Sequence, residues 1–291
     1  MITKDHTKFA AFILTHGRPD NVLTYDSLKK AGYTGRIVLI IDNEDKNKEK
    51  YHEKYGDEVY EFNKTEYAKN IDKGDNFPGN GTAMFARNVC WDVARELGLQ
   101  YFVQLDDDYT RYSYKFNSQF KFVSSKSDYK IANIDKVFNI CNDFLIDSGC
   151  DSIAFAQEGD FVGGPGGYWG QKPRTRRKCM NSWFCKTDNP ISFTMRMNDD
   201  VTTYVRHGFQ GKLFLTINQL TLSQAPTQAV SGGMTEMYQK SGTYQKTFYT
   251  ILNNPSSVKI STFGHGKGMR IHHRVEWNAT VPKIIRQDYK K

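Results

Sequence analysis

Along the first third of the chain, solid apolar runs alternate with longer amphipathic ones. In "FAAFILT" (residues 9–15) nearly every position is apolar, the mark of a strand buried on both faces, and "RIVLIID" (36–42) repeats the pattern. Between them, "RPDNVLTYDSLKKAG" (18–32) places Pro19 to open a helix and Gly32 to close it, so a parallel βαβ unit is predicted. A lysine-rich helix is expected over "EDKNKEKYHEKYG" (44–56), followed by the turn-rich "DKGDNFPGNG" (72–81). The helical period returns over residues 83–98, where Phe85, Val89, Val93 and Leu97 recur every four positions and Gly98 supplies the stop. "YFVQL" (101–105) is then a strand that delivers Asp106, Asp107 and Asp108 at its C-terminal end, the side on which open α/β sheets bind ligands.

Beyond residue 112 the pattern is less regular. A helix is expected over 134–146, a strand over "SIAFAQ" (152–157), a helix from "NDDVTTYVRHG" (198–208), and a strand or hairpin in "KLFLTINQLTL" (212–222). The Gly-rich, cation-rich stretch from 159 to 179 reads as a mobile basic loop. With no internal repeat and no clear linker, the fold class is α/β, one domain with a mixed, mostly parallel sheet, flanking helices and a C-terminal extension.

Composition narrows the class further. Hydrophobic residues make up 38% and aromatic ones 14%, which excludes a disordered chain. No apolar run approaches 18 residues and no signal cleavage site follows the N-terminal run, so a cytoplasmic protein (host cytoplasm if phage-encoded) without membrane contact is expected. Cys90, Cys141, Cys150, Cys179 and Cys185 are scattered with no CxxC pair, which argues for buried free thiols over disulfides or structural zinc. A net charge of +8 attracts polyanions, nucleic acid or a nucleotide foremost.

Three adjacent carboxylates repel one another unless they face water or share a cation. On an extended backbone Asp106 and Asp108 point the same way, and Mg²⁺ or Mn²⁺ is commonly held by one or two carboxylates plus a substrate's phosphates; a solvated turn is the alternative. Asp42, at the end of the second strand, would accept from a ribose or base, or else cap the next helix. Arg87, beside Asn88 near a helix N-terminus, works against the dipole unless it binds an anion, so it reads as a diphosphate contact. Asp199 and Asp200 open a helix either as caps or as a general base for an acceptor hydroxyl. His265, His272 and His273 would complete a metal shell, contact phosphate or face water.

Taken together, "ILTHGRPDN", "LIIDNE", "ARNVCWDVARELGLQYFVQLDDDY" and "NDDVTTYVRHG" resemble nucleotide-sugar glycosyltransferases of the GT-A fold. More narrowly they resemble the DNA-base glycosyltransferases of phages and of gene clusters encoding TET/JBP-type base hydroxylases. The resemblance is firm over 9–112 and weaker to about 208. It implies a catalytic domain over 1–222, with a nucleotide-sugar half to about 112 and an acceptor half from 113, and an extension over 223–291 packed on it. It implies a donor-binding set of Thr15, Gly17, Arg18, Asp42, Arg87, Asn88 and Asp106, with Asp42 toward the nucleoside and Arg87 toward the diphosphate. Asp106, Asp108 and His272 would hold Mn²⁺ or Mg²⁺, and Asp199 or Asp200 would stand on the acceptor side. A triplet where many relatives show a spaced pair leaves open which aspartates touch the ion.

The expected reaction is hexose transfer, glucose foremost, from a UDP-sugar to a 5-hydroxymethylpyrimidine base in DNA, with no obligate protein partner. Lys172, Arg174, Arg176, Arg177 and Lys178 are expected to meet phosphates, and Tyr168 and Trp169 to stack on an extruded base. The competing readings are a glycosyltransferase for a polysaccharide, lipid or protein, a two-metal nuclease, and a non-catalytic DNA-binding module.

Overall fold

The side chains of β1 (Phe9–Leu14) divide by turns between two cores. Phe9, Ala11 and Ile13 pack with Leu28 of α1 (Leu23–Lys30) and Phe138 of α5 (Ile134–Ser148), whereas Ala10, Phe12 and Leu14 pack with Val89 of α4 (Met84–Glu96) and Val201 of α6 (Asp199–Phe209). A period of two with both faces buried is why the run reads as solid hydrophobe. The computed structural model describes residues 5–123, 129–176, 178–179, 181–225, 245–264, 266 and 269–280.

On one side of β1 lie β2 (Arg36–Asp42) and β3 (Val59–Phe62), and on the other β4 (Tyr101–Asp106), all parallel. The sheet continues through β8 (Trp183–Lys186), β6 (Ser152–Gln157), β9 (Phe214–Gln224) and β5 (Tyr109–Tyr114), with the two-residue β7 (Thr175–Arg176) also paired to β9. Strands β5, β7 and β8 run antiparallel to their neighbours, so six of the nine share one direction. This is the mixed, mostly parallel α/β fold expected. The chain order reverses between β1 and β4, which opens a crevice at their carboxyl ends.

Several boundaries differ from the sequence reading. Helix α1 starts at Leu23 because residues 15–22 form a turn; the Thr24 amide donates to the Asp107 carbonyl at 3.1 Å and its hydroxyl to the Asp106 carbonyl at 2.5 Å. Strands β3, β5 and β8 were not anticipated: β3 and β8 have only four residues each, and β3 and β5 are only partly buried. The run at 212–222 is a single strand. Nor is the stretch from 159 to 179 a loose loop. A Cβ at Gly170 would collide with the Gly164 carbonyl and one at Gly167 with the Val162 carbonyl, so these glycines permit a tight turn that β7 then pins to β9. All five cysteines are free and buried. No described helix is long and apolar enough to cross a membrane.

Past residue 244, the described residues gather around α6. Helix α7 (Gln245–Asn253) and the hairpin of β10 (Val258–Phe263) and β11 (Arg270–Val275) are tied to it through Asn198, whose amide lies 3.0 Å from the Lys246 carbonyl and 3.2 Å from His273 Nδ1. A 3₁₀ turn (Trp277–Thr280) follows and sets Trp277 against Tyr204. Gly208 allows that approach. An alanine there would ordinarily favour the helix by about 1 kcal/mol, but its methyl would strike the Thr280 carbonyl. Gly208→Ala is therefore expected to destabilise the protein by about 1–3 kcal/mol in denaturant unfolding; a gain in stability would show that the 277–280 turn does not press on α6.

Candidate active site

The two-residue period that sorts β1 also sorts β4 as far as Asp106, its last residue; Asp107 and Asp108 lie in the turn that follows. Phe102 and Gln104 face α4 and α6, so Asp106 faces them too, while Asp107 points toward the β1 turn. Asp107 is buried and tied: it accepts from Thr15 Oγ1 and from Arg18 Nη1, both at 2.8 Å. Burial pushes its carboxyl above the usual range, with Arg18 pulling the other way. Tyr51 of α2 (Lys48–Tyr55) completes the lock, its hydroxyl 2.9 Å from Thr15 Oγ1 and accepting the Arg18 amide at 2.8 Å. The middle aspartate thus fixes the β1 turn.

Asp106 meets Arg87. The Arg87 side chain is 5% exposed, and its Nη2 donates to Asp106 and its Nε to Asp199, each at 2.8 Å. A cation in the early turns of α4 opposes the dipole, and these two carboxylates offset that cost. Asp199 opens α6, so one guanidinium joins the end of β4 to the start of a helix some ninety residues later. Burial raises the Asp199 carboxyl to about 6 against the pull of Arg87, with Asp200 and Asp106 adding to the rise. Asp200 spends one oxygen on the Val201 amide at 2.7 Å.

Asp108 lies in the turn after β4, within reach of the charge of Asp106. One oxygen accepts from Gln224 Nε2 at 3.0 Å, at the end of β9, while Oδ1 is buried with no partner. Burial and then the charge of Asp106 push this carboxyl up to about 7. Farther along the edge, Asp42 accepts from His16 Nδ1 at 2.8 Å and from the buried Lys64 at 3.1 Å; burial opposes ionisation there, but these two hold its carboxyl below the usual range. The bond to Asp42 raises the His16 imidazole, which is 40% exposed. Asp45 takes the Gly17 amide at 2.6 Å, where Gly17 stands at φ +74°.

Seven carboxylates (Asp42, Asp45, Asp106, Asp107, Asp108, Asp199, Asp200) therefore meet three permanent cations (Arg18, Lys64, Arg87) and His16 along this edge. A divalent cation would ease that imbalance, and the partnerless Asp108 Oδ1 near Asp106 is an oxygen that such an ion would fit. The expected third ligand is not there. No group of three or more His, Cys, Asp or Glu able to hold an ion occurs among the described residues, so Asp106, Asp108 and His272 do not form one shell. His272 lies on β11 with its ring against His273 and Phe263.

Other residues of the expected set also have definite places. Asn88 spends its amide on the Met84 carbonyl and on both backbone groups of Phe193, so it tethers that segment to α4 rather than facing a donor. A diphosphate contact for Arg87 is left only Nη1, which is buried and without a partner. The guanidinium groups of Arg174 and Arg176 lie over the Tyr168 ring at 4.2 and 4.1 Å, and Arg176 and Lys178 over Trp169 at 5.0 and 5.8 Å. The aromatics therefore carry cations, with Tyr168 still 57% exposed. Lys172 is exposed, Lys178 also pairs with Asp160 at 2.7 Å, and Arg177 is outside the described residues.

The sequence reading missed His16, Asp45, Tyr51, Lys64 and Gln224. Four of these five are set by strand ends: His16 and Asp45 follow β1 and β2, Lys64 follows β3, and Gln224 closes β9. Recognising the four-residue β3 would have exposed Lys64.

Residues 9–233 match the family model described as TET-Associated Glycosyltransferase. Among solved structures, TarS of S. aureus is similar over 75% of this chain at 11% identity and a TM-score of 0.43; the match spans 36% of TarS. A protein of Desulfovibrio desulfuricans G20 assigned as a nucleotide-diphospho-sugar transferase is similar over 84% of this chain and 94% of its own, at 10% identity and a TM-score of 0.40. No curated protein matches in sequence. Removing the shared guanidinium should leave two carboxylates unpaired, so Arg87→Ala is expected to cost about 3–5 kcal/mol in denaturant unfolding. A loss under about 0.5 kcal/mol would mean that the bridge holds nothing together.

Proposed function

The chain belongs to the TET-associated glycosyltransferase family and is a glycosyltransferase; from that premise we propose that it moves a hexose from a UDP-sugar to the hydroxyl of a 5-hydroxymethylpyrimidine in DNA. The observation that supports the reading is the Asp106–Arg87–Asp199 bridge at the carboxyl ends of β1 and β4, which joins Asp106, the donor-side carboxylate in this reading, to the start of α6, its acceptor side.

In this reading the nucleoside lies over the β1 turn and the His16–Asp42–Lys64 group, whose exposed imidazole is a donor for ribose or base. Asp106 and Asp108 would hold Mn²⁺ or Mg²⁺, which neutralises charge on a departing diphosphate. Asp199, buried against Arg87, positions the start of α6. Asp200 then takes the acceptor's proton as its oxygen bonds to the sugar's anomeric carbon, while the bond from that carbon to the diphosphate breaks and UDP leaves. Lys172, Arg174 and Arg176 meet the acceptor's phosphates, the two arginines braced on Tyr168.

The test combines a panel of UDP-sugars with Mn²⁺ and duplexes containing 5-hydroxymethylcytosine, 5-hydroxymethyluracil or neither. The expected result is UDP release that requires the modified base and a hexose-sized mass gain on that nucleoside. Asp200→Asn should lower transfer by about 10²–10⁴-fold with stability intact, and chelation should abolish it. UDP release indifferent to DNA would move the acceptor to a polysaccharide, lipid or protein, and full activity of Asp200→Asn would remove that residue from the chemistry.

A further inference from the structure

The positive charge of this chain is concentrated at one end. Residues 223–291 hold ten Lys and Arg against three Asp and Glu, and so account for seven of the eight net charges. The family match ends at residue 233, before most of these cations.

The β10–β11 hairpin displays part of that charge in order. Its register pairs Lys259 with Arg274, Ser261 with His272 and Phe263 with Arg270. Alternation puts all six side chains on one face, in keeping with their packing: Arg270 lies over the Phe263 ring at 5.8 Å, and the Phe263 and His272 rings are 5.3 Å apart. The opposite face is attached at its base, with Val258 buried and His273 against Asn198, and farther out Ile260 and Ile271 are exposed. Lys259 and Arg270 are exposed and have no acidic partner among the described residues. Arg274, 69% exposed, meets only Glu276 at 3.5 Å, a surface pair of little strength.

We propose that the outer face of this hairpin is a ribbon that grips the phosphate backbone of duplex DNA and delivers the duplex to the α6 end of the active site. The proposal rests on the reading of DNA as acceptor. Two paired strands about 5 Å apart are narrow enough for a major groove about 12 Å wide, and Lys259 to Phe263 covers about 13 Å of its length. Phosphates attract cations without regard to base sequence, as a general acceptor grip requires. The ribbon also leads to the chemistry: Asn198, which holds His273, directly precedes Asp199 and Asp200, and Lys246 on α7 feels both Arg270 and Asp200. A membrane surface would call for an apolar outer face, and on the cationic face Phe263 is the single large apolar side chain, Ile260 and Ile271 being on the other.

The test uses the full chain, an unmodified duplex of about two helical turns, and vesicles of phosphatidylserine. Replacing Lys259, Arg270 and Arg274 together by Gln should weaken duplex binding and lower the slope of log affinity against log salt by up to about 2.7, about 0.9 for each phosphate no longer neutralised. UDP-sugar binding and the thermal midpoint should not change, because all three side chains are on the surface. A variant with Lys259→Arg, Arg270→Lys and Arg274→Lys should regain the slope. An unchanged slope in the Gln variant overturns the proposal, as does a loss confined to vesicle binding. If the slope falls but no sugar reaches any DNA base, the ribbon stands and the DNA-glycosylation reading fails; if sugar reaches DNA with the slope unchanged, the reverse holds.

Discussion

A charge cannot be buried alone, and the crevice of this protein depends on one guanidinium that answers two carboxylates at once. Arg87 comes from α4, Asp106 from the end of β4 and Asp199 from the start of α6, so the pairing decides where three elements meet. Bidentate use of a planar group suits this task better than a lysine's point charge would. The helix dipole and the burial of Arg87 both oppose the arrangement; the paired carboxylates are what make it tolerable.

Why three aspartates stand together follows from the same geometry. They are not one cluster: Asp106 ends β4, and Asp107 and Asp108 form the turn that follows it. Asp107 is consumed by Thr15 and Arg18 and gives the β1 turn its shape, while Asp106 and Asp108 face the crevice. The triplet thus serves structure with its middle member, while Asp106 meets Arg87 and the Tyr109 hydroxyl and Asp108 keeps one oxygen without a partner. Gln224, arriving from β9, engages only one oxygen of Asp108.

Much of this was legible in the sequence because it depends on period. The runs at 9–15, 36–42 and 101–105 announce buried parallel strands, and the four-residue recurrence from Phe85 to Leu97 announces α4. What was not legible depends on tertiary partners. Nothing local to Asn88 says that Phe193 will consume its amide, and nothing near Arg87 says that its anions are protein carboxylates rather than phosphates. The run of glycines from 163 to 170 looks flexible by composition, yet close backbone approach is what it permits. Tyr168 and Trp169 looked like stacking platforms for a base; the cations that follow them in sequence fold back onto their rings.

Asp106 and Asp199 are coupled through Arg87. A double-mutant cycle in denaturant unfolding, with Asp106→Asn, Asp199→Asn and the pair, measures that coupling directly. Single-mutant effects that fail to add are expected, with an interaction energy of about 1–3 kcal/mol. Additivity within about 0.5 kcal/mol would contradict the coupling, because the two carboxylates would then be independent neighbours rather than two ends of one bridge.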